Sequence, residues 1–132
     1  MDSPAKCSCS GSNNLMFCCS GAADVAEIGD RAVRAVRKTG VAKMSCVAGI
    51  AAKVETIEVN TLGADRLVVV DGCDSDCAKK TMVAGGFPNF THFRVSDLGW
   101  EKGKTPVTEE RISMVAGRIR ELLALPDAPA VA

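Results

Sequence analysis

The sequence contains no tyrosine, one histidine, one tryptophan and four phenylalanines in 132 residues. So few rings leave little with which to stack unpaired bases, and 16 basic residues against 16 acidic ones leave no net field to draw in a polyanion. Nucleic acid is therefore not an expected partner. Long hydrophobic runs are missing as well. Stretches such as Val47–Ala52, interrupted by Gly49, fall far short of the roughly 20 apolar residues a membrane-spanning helix needs. Met1–Ser12 is small and polar, with no basic start leading into an apolar segment, so neither a secretory signal nor a membrane anchor is expected. The expected location is the cytoplasm.

Against these absences stand seven cysteines. A reducing cytosol disfavours structural disulfides, which turns cysteine-rich chains there toward metal binding or redox chemistry, and an odd count leaves one thiol over in any full pairing. At this length a single domain is expected.

Residues 1–14 are rich in Ser, Gly, Asn and Cys and read as a flexible arm carrying the Cys-x-Cys pair Cys7 and Cys9. Leu15–Cys19 is a short apolar run that suits a buried first strand. From Asp24 to Lys38, Val25, Ile28, Ala32, Val33 and Val36 recur at helical spacing, with Glu27–Arg31 and Asp30–Arg34 placing each acid four residues before its base. A second strand is expected over Ala42–Cys46 and a helix somewhere between Ala48 and Leu62. Arg66–Asp71 is a β-branched run typical of a central strand, followed by a short helix over Asp76–Val83, capped by Asp74 or Ser75, and a fourth strand over Thr91–Val95. Ser96–Thr105 reads as a loop. Thr108 caps a last helix that runs until Pro126, and the Pro/Ala-rich residues 126–132 read as a disordered tail. This alternation predicts an α/β fold: a single three-layer domain over residues 15–125, with about four mostly parallel strands and flanking helices, Rossmann-like or flavodoxin-like.

In that arrangement Cys19, Cys46 and Cys73 each fall at the C-terminal end of a strand, and Cys77 follows in the first turn of the next helix. Parallel strands bring those ends to one edge, where open α/β sheets bind ligands. The four thiols suit zinc, which takes four ligands in a tetrahedron, and by ligand type they also suit an iron–sulfur cluster. Asp71, Asp74 and Asp76 add negative charge that raises a free thiol's pKa and that a bound cation reverses, while Lys79 and Lys80 stand close enough in sequence to offset it.

The segments Phe17–Val25, Lys43–Ile50 and Asp71–Lys80 resemble the DGC domain family, named for its central Asp-Gly-Cys, and the resemblance extends over about Leu15–Glu121. It implies a metal site, described as zinc-binding on account of four potential chelating cysteines that map onto Cys19, Cys46, Cys73 and Cys77; it implies no reaction. Val47 in place of leucine and the extra Cys18 are small departures that disturb none of the four.

Three readings of the four cysteines stay open: a structural or regulatory metal site, a redox or sulfur-transfer thiol site, and thiols merely buried in the core. In the second, Cys19 or Cys73 attacks a disulfide or persulfide and Cys77 resolves the product. Cys18 alternates with Cys19 and should face the opposite core. Cys7 and Cys9 either feed the site or form a loop pair without metal. His92 is expected as a packed or edge residue rather than a ligand or base. Ser20-Gly21 after a strand lacks the Walker and Gly-x-Gly-x-x-Gly spacings, and no arginine follows Cys19 at the spacing a Cys-x5-Arg phosphatase needs. Trp100 is expected as a lid over the sheet edge, with a protein contact as the other reading.

Overall fold

The computed structural model describes residues 13–125; the Cys7–Cys9 pair and the 126–132 tail lie outside them. Four strands pair in parallel throughout, in the order β2-β1-β3-β4, with β1 over Asn14–Cys18, β2 over Lys43–Met44, β3 over Arg66–Asp71 and β4 over Thr91–Arg94. Asn14, expected as the end of the arm, opens β1 and pairs with Arg66. β1 and β3 occupy the middle and carry the apolar runs, because a strand covered on both faces favours apolar residues along its interior positions.

Side chains alternate strictly between two cores. Met16 and Cys18 of β1 and Val68 and Val70 of β3 face one layer, built by α1 (Asp24–Lys38) and α5 (Glu109–Leu123). Leu15 and Phe17 of β1, Cys19 just beyond it, and Leu67 and Val69 of β3 face the other layer, built by α2 (Val47–Ala51) and α4 (Cys77–Ala84). Cys18 and Cys19 therefore belong to opposite cores, as the period of two requires. Both i,i+4 pairs expected on α1 form, Glu27–Arg31 at 2.8 Å and Asp30–Arg34 at 2.9 Å, and Thr108 caps α5 by accepting the Arg111 N–H at 3.2 Å.

The segment read as one helix between Ala48 and Leu62 is two, α2 and α3 (Glu55–Leu62), broken where Lys53 takes a left-handed φ of 58°. α3 buries little besides Thr61 and leaves Val59 and Leu62 exposed. β2 is only two residues long, so Cys46 sits beyond it as the N-cap of α2. β4 stops at Arg94, and Val95 starts a 3₁₀ turn, Val95–Leu98, within what the sequence suggested was strand end and loop. No helix of the described residues is long and apolar enough to cross a membrane.

Candidate functional site

β1 lies between β2 and β3, so the chain leaves β1 toward one side for β2 and returns on the other for β3. The C-terminal ends of β1 and β3 therefore flank the point where the strand order reverses, and the loops after them diverge to leave a crevice. A cleft of about 430 Å³ opens there, and Cys19, Cys73 and Cys77 all line it, with Ala23, Ala26 and Lys102 among its other walls. Three of the four expected ligands thus share one cleft. Cys46 is exposed and opens onto a second cleft, lined also by Cys18, Ser20, Arg34, Arg37 and Met44.

Each residue of the Asp71-Gly72-Cys73 run has a separate task. Asp71 is buried at the end of β3, where its carboxylate accepts the Ala78 N–H at 2.8 Å and the Lys79 N–H at 3.0 Å, satisfying first-turn amides of α4 from outside the helix. Neither Asp74 nor Ser75, the expected caps, does this; the N-cap is Asp76, which makes no side-chain capping bond. Gly72 presses against α1: a Cβ built on it would lie 2.5 Å from both Cα and N of Ala26. Its N–H points at the Cys19 sulfur at 3.4 Å, and its carbonyl accepts the Ser96 N–H at 3.0 Å. Cys73, next along, faces the cleft.

The acidic charge of this loop is met from β4. His92 Nε2 lies 2.8 Å from Asp71 Oδ2, and Arg94 grips Asp76 through Nε at 2.9 Å and Nη2 at 2.5 Å. Burial opposes ionisation of Asp71, but hydrogen bonds from His92 and the two α4 amides outweigh it and hold its carboxyl below the usual range. Asp76 is held low chiefly by Arg94. Asp71, Asp76 and His92 also offer ligand atoms within 4.8 Å of one another, a possible cation cluster, yet Arg94 already supplies a positive charge to Asp76. The lysine on the cysteine cleft is Lys102; Lys80, which the sequence suggested, lines a recess beside Ile50 and Gly85 instead. Asp24 holds the loop bearing Lys102 in place by accepting the Gly103 and Thr105 N–H groups, each at 2.9 Å. Trp100 of the same loop packs against the α1–α5 core under Arg111, whose guanidinium carbon is 5.5 Å from the ring centre.

The Cys19 thiol is biased toward thiolate. The neighbouring Cys18 thiol, opposed by burial and joined by the Gly21 and Gly72 amides, brings the Cys19 pKa down to about 6. Cys18 moves the opposite way, because the Cys19 thiolate beside it and its own burial both disfavour its ionisation. In reduced, metal-free protein one thiol is therefore expected to ionise near pH 6, followed by thiolate absorbance, and this step should vanish in Cys19→Ser and move upward in Cys18→Ala. A titration with no step below about pH 8 would contradict the cradle.

Sequence reasoning missed Asp71, His92 and Arg94 as a connected group. The available signal was a lone aspartate closing an apolar strand, since a buried charge requires partners.

Compared with known proteins, the chain aligns with the anaerobic and virulence modulator AnvM of Pseudomonas aeruginosa at 25% identity over 88 residues, which cover 67% of each chain. No solved structure matches. The DGC domain model matches residues 15–119, from the start of β1 to the last buried turn of α5. With its Asp-Gly-Cys turn at the reversal point of a parallel sheet, the chain belongs to the DGC domain family.

Proposed function

We propose that this protein binds a thiophilic metal ion, zinc foremost, through Cys19, Cys73 and Cys77, with Cys46 joining from the loop after β2. The observation that carries this reading is the shared lining of one cleft by three thiols drawn from two loops. Thiolate donors select zinc or an iron–sulfur cluster over oxygen-seeking cations such as magnesium. One of the three is already biased toward thiolate. When bound, zinc would neutralise the converging sulfurs and tie the β1 loop to the β3 loop.

With four protein sulfurs the site is closed, and closed zinc sites stabilise or regulate rather than catalyse. A regulatory role also agrees with the name of the Pseudomonas relative, a modulator. Elemental analysis of anaerobically purified protein is expected to find about one zinc per chain with its thiols protected from alkylation. Metal-free protein with one fast-reacting thiol would sink the reading. Cys46→Ser decides the fourth ligand: loss of zinc assigns Cys46 to the set, whereas retained zinc leaves three ligands and an open position.

The depressed pKa of Cys19 favours a second reading, thiol exchange. The Cys19 thiolate attacks a disulfide R–S–S–R′ to form Cys19–S–S–R and release R′S⁻; the Cys77 thiolate then displaces RS⁻ to leave a Cys19–Cys77 disulfide. Rapid reduction of one equivalent of a disulfide substrate per chain by reduced, metal-free protein, abolished in Cys19→Ser, is the result that favours it over metal binding.

A further inference from the structure

We infer that His92 and Arg94, neither of them in the cysteine cleft, are positioning residues that hold Cys77 at that cleft. The inference rests on the metal-binding reading for its consequence, though not for its geometry.

Cys77 is the first residue of an eight-residue helix that buries only Ala78 and Met82. That is a weak anchor for a metal ligand. The turn leading into it also needs holding, because Asp76 adopts φ 53° and ψ 44°, a left-handed conformation that is uncommon outside glycine even though aspartate enters it more readily than most residues. What holds it comes from β4. Arg94 meets both oxygens of Asp76 with its planar fork and reaches Asp97 with the third nitrogen at 3.2 Å. His92, two residues earlier and so on the same face of the strand, bonds Asp71 at 2.8 Å, and Asp71 in turn holds the amides of Ala78 and Lys79. One grip therefore acts just before Cys77 and the other just after it.

Between them the two β4 residues fix the start of α4 from both sides, and with it the direction in which the Cys77 sulfur leaves the backbone. Such outer partners orient metal ligands without touching the ion, and their loss typically weakens metal binding by about 10–100-fold.

The test uses the full chain with Arg94→Gln, His92→Gln and the conservative Arg94→Lys. In competition with a chromophoric chelator, Arg94→Gln is expected to bind zinc about 10–100-fold more weakly than wild type, with Arg94→Lys in between because it keeps the charge but not the fork. In zinc-loaded Arg94→Gln, iodoacetamide should label Cys77 while Cys73 stays protected, as read by peptide mass spectrometry. A merely structural role would lower melting temperature without this selective exposure. Wild-type affinity with Cys77 protected would overturn the inference. If Arg94→Gln does not fold, Arg94→Lys and His92→Gln carry the same comparison. A metal-free arm follows amide exchange at Ala78 and Lys79, which should quicken about tenfold relative to α5 in His92→Gln. Unchanged exchange there overturns the grip itself, while absence of zinc from wild type overturns the metal reading and leaves the exchange arm decisive.

Discussion

Replacing Gly72 by alanine is expected to cost about 3 kcal/mol, at the upper end of what an added methyl group does in a packed interior. The reason is not backbone conformation, since Gly72 is absent from the residues with positive φ. It is the closeness of α1. An alanine Cβ would stand 2.5 Å from Ala26 Cα and N and 2.9 Å from its Cβ, and the first two are backbone atoms in the first turn of a fifteen-residue helix that has no freedom to step aside. Gly49 provides the internal contrast: its added Cβ would fall 2.1 Å from Ile57 Cδ1, the far end of a flexible side chain on α3, so Gly49→Ala should cost less than about 1 kcal/mol after Ile57 rotates. The effect of Gly72→Ala also has a direction. Pushing the end of β3 off α1 separates the Cys19 loop from Cys73, so zinc uptake should fall together with the urea midpoint. A Gly72→Ala protein within about 1 kcal/mol of wild type would show that α1 yields to the added methyl group and that the close approach is not what Gly72 is there for.

How much of this was legible beforehand follows from the range of the physics involved. Cys18 and Cys19 could be assigned to opposite cores because strand periodicity is local, and α1 could be bounded because its i,i+4 pairs and apolar stripe lie within one helix. The all-parallel sheet followed from alternation of strands and helices. The division of the second helix did not, because Lys53 is not a residue type that announces a left-handed turn. Cys46 shows a different limit. Its strand was expected over Ala42–Cys46, yet β2 pairs over only two residues, so the loop rather than the strand decides where its thiol points, and it opens on the neighbouring cleft. Asp71 was read as one of three crowded acids. Its partners stand 7, 8 and 21 residues away and meet it only once α4 and β4 have packed, so no local pattern distinguishes it from the exposed Asp74.

Asp71→Ala is expected to be the most damaging single polar substitution at this edge, costing about 3–5 kcal/mol, because three hydrogen-bonding groups lose a shared buried acceptor at about 1–3 kcal/mol each. The loss has two parts. The Ala78 and Lys79 amides lose their acceptor where α4 begins, and His92 loses its hydrogen-bond partner in a site with little access to water. Against a total stability of about 5–15 kcal/mol this should lower the melting temperature by roughly 15 °C. Asp71→Asn separates the parts, because its carbonyl oxygen still accepts one amide while the charge is gone, and an intermediate loss is expected. The acid side carries its own signature. Asp71 and Asp76 both have folded pKa values below their unfolded ones, so each contributes stability that is fully present above the unfolded value of about 4 and disappears as pH falls through the folded value. Urea midpoints measured downward from pH 5 should therefore drop steeply below about pH 4 in wild type and less steeply in Asp71→Asn, which has one fewer carboxylate to protonate. Parallel curves for the two proteins would mean that the Asp71 carboxylate is no better stabilised in the fold than in the open chain, and the anchoring of α4 would then have to come from Asp76 and Arg94 alone.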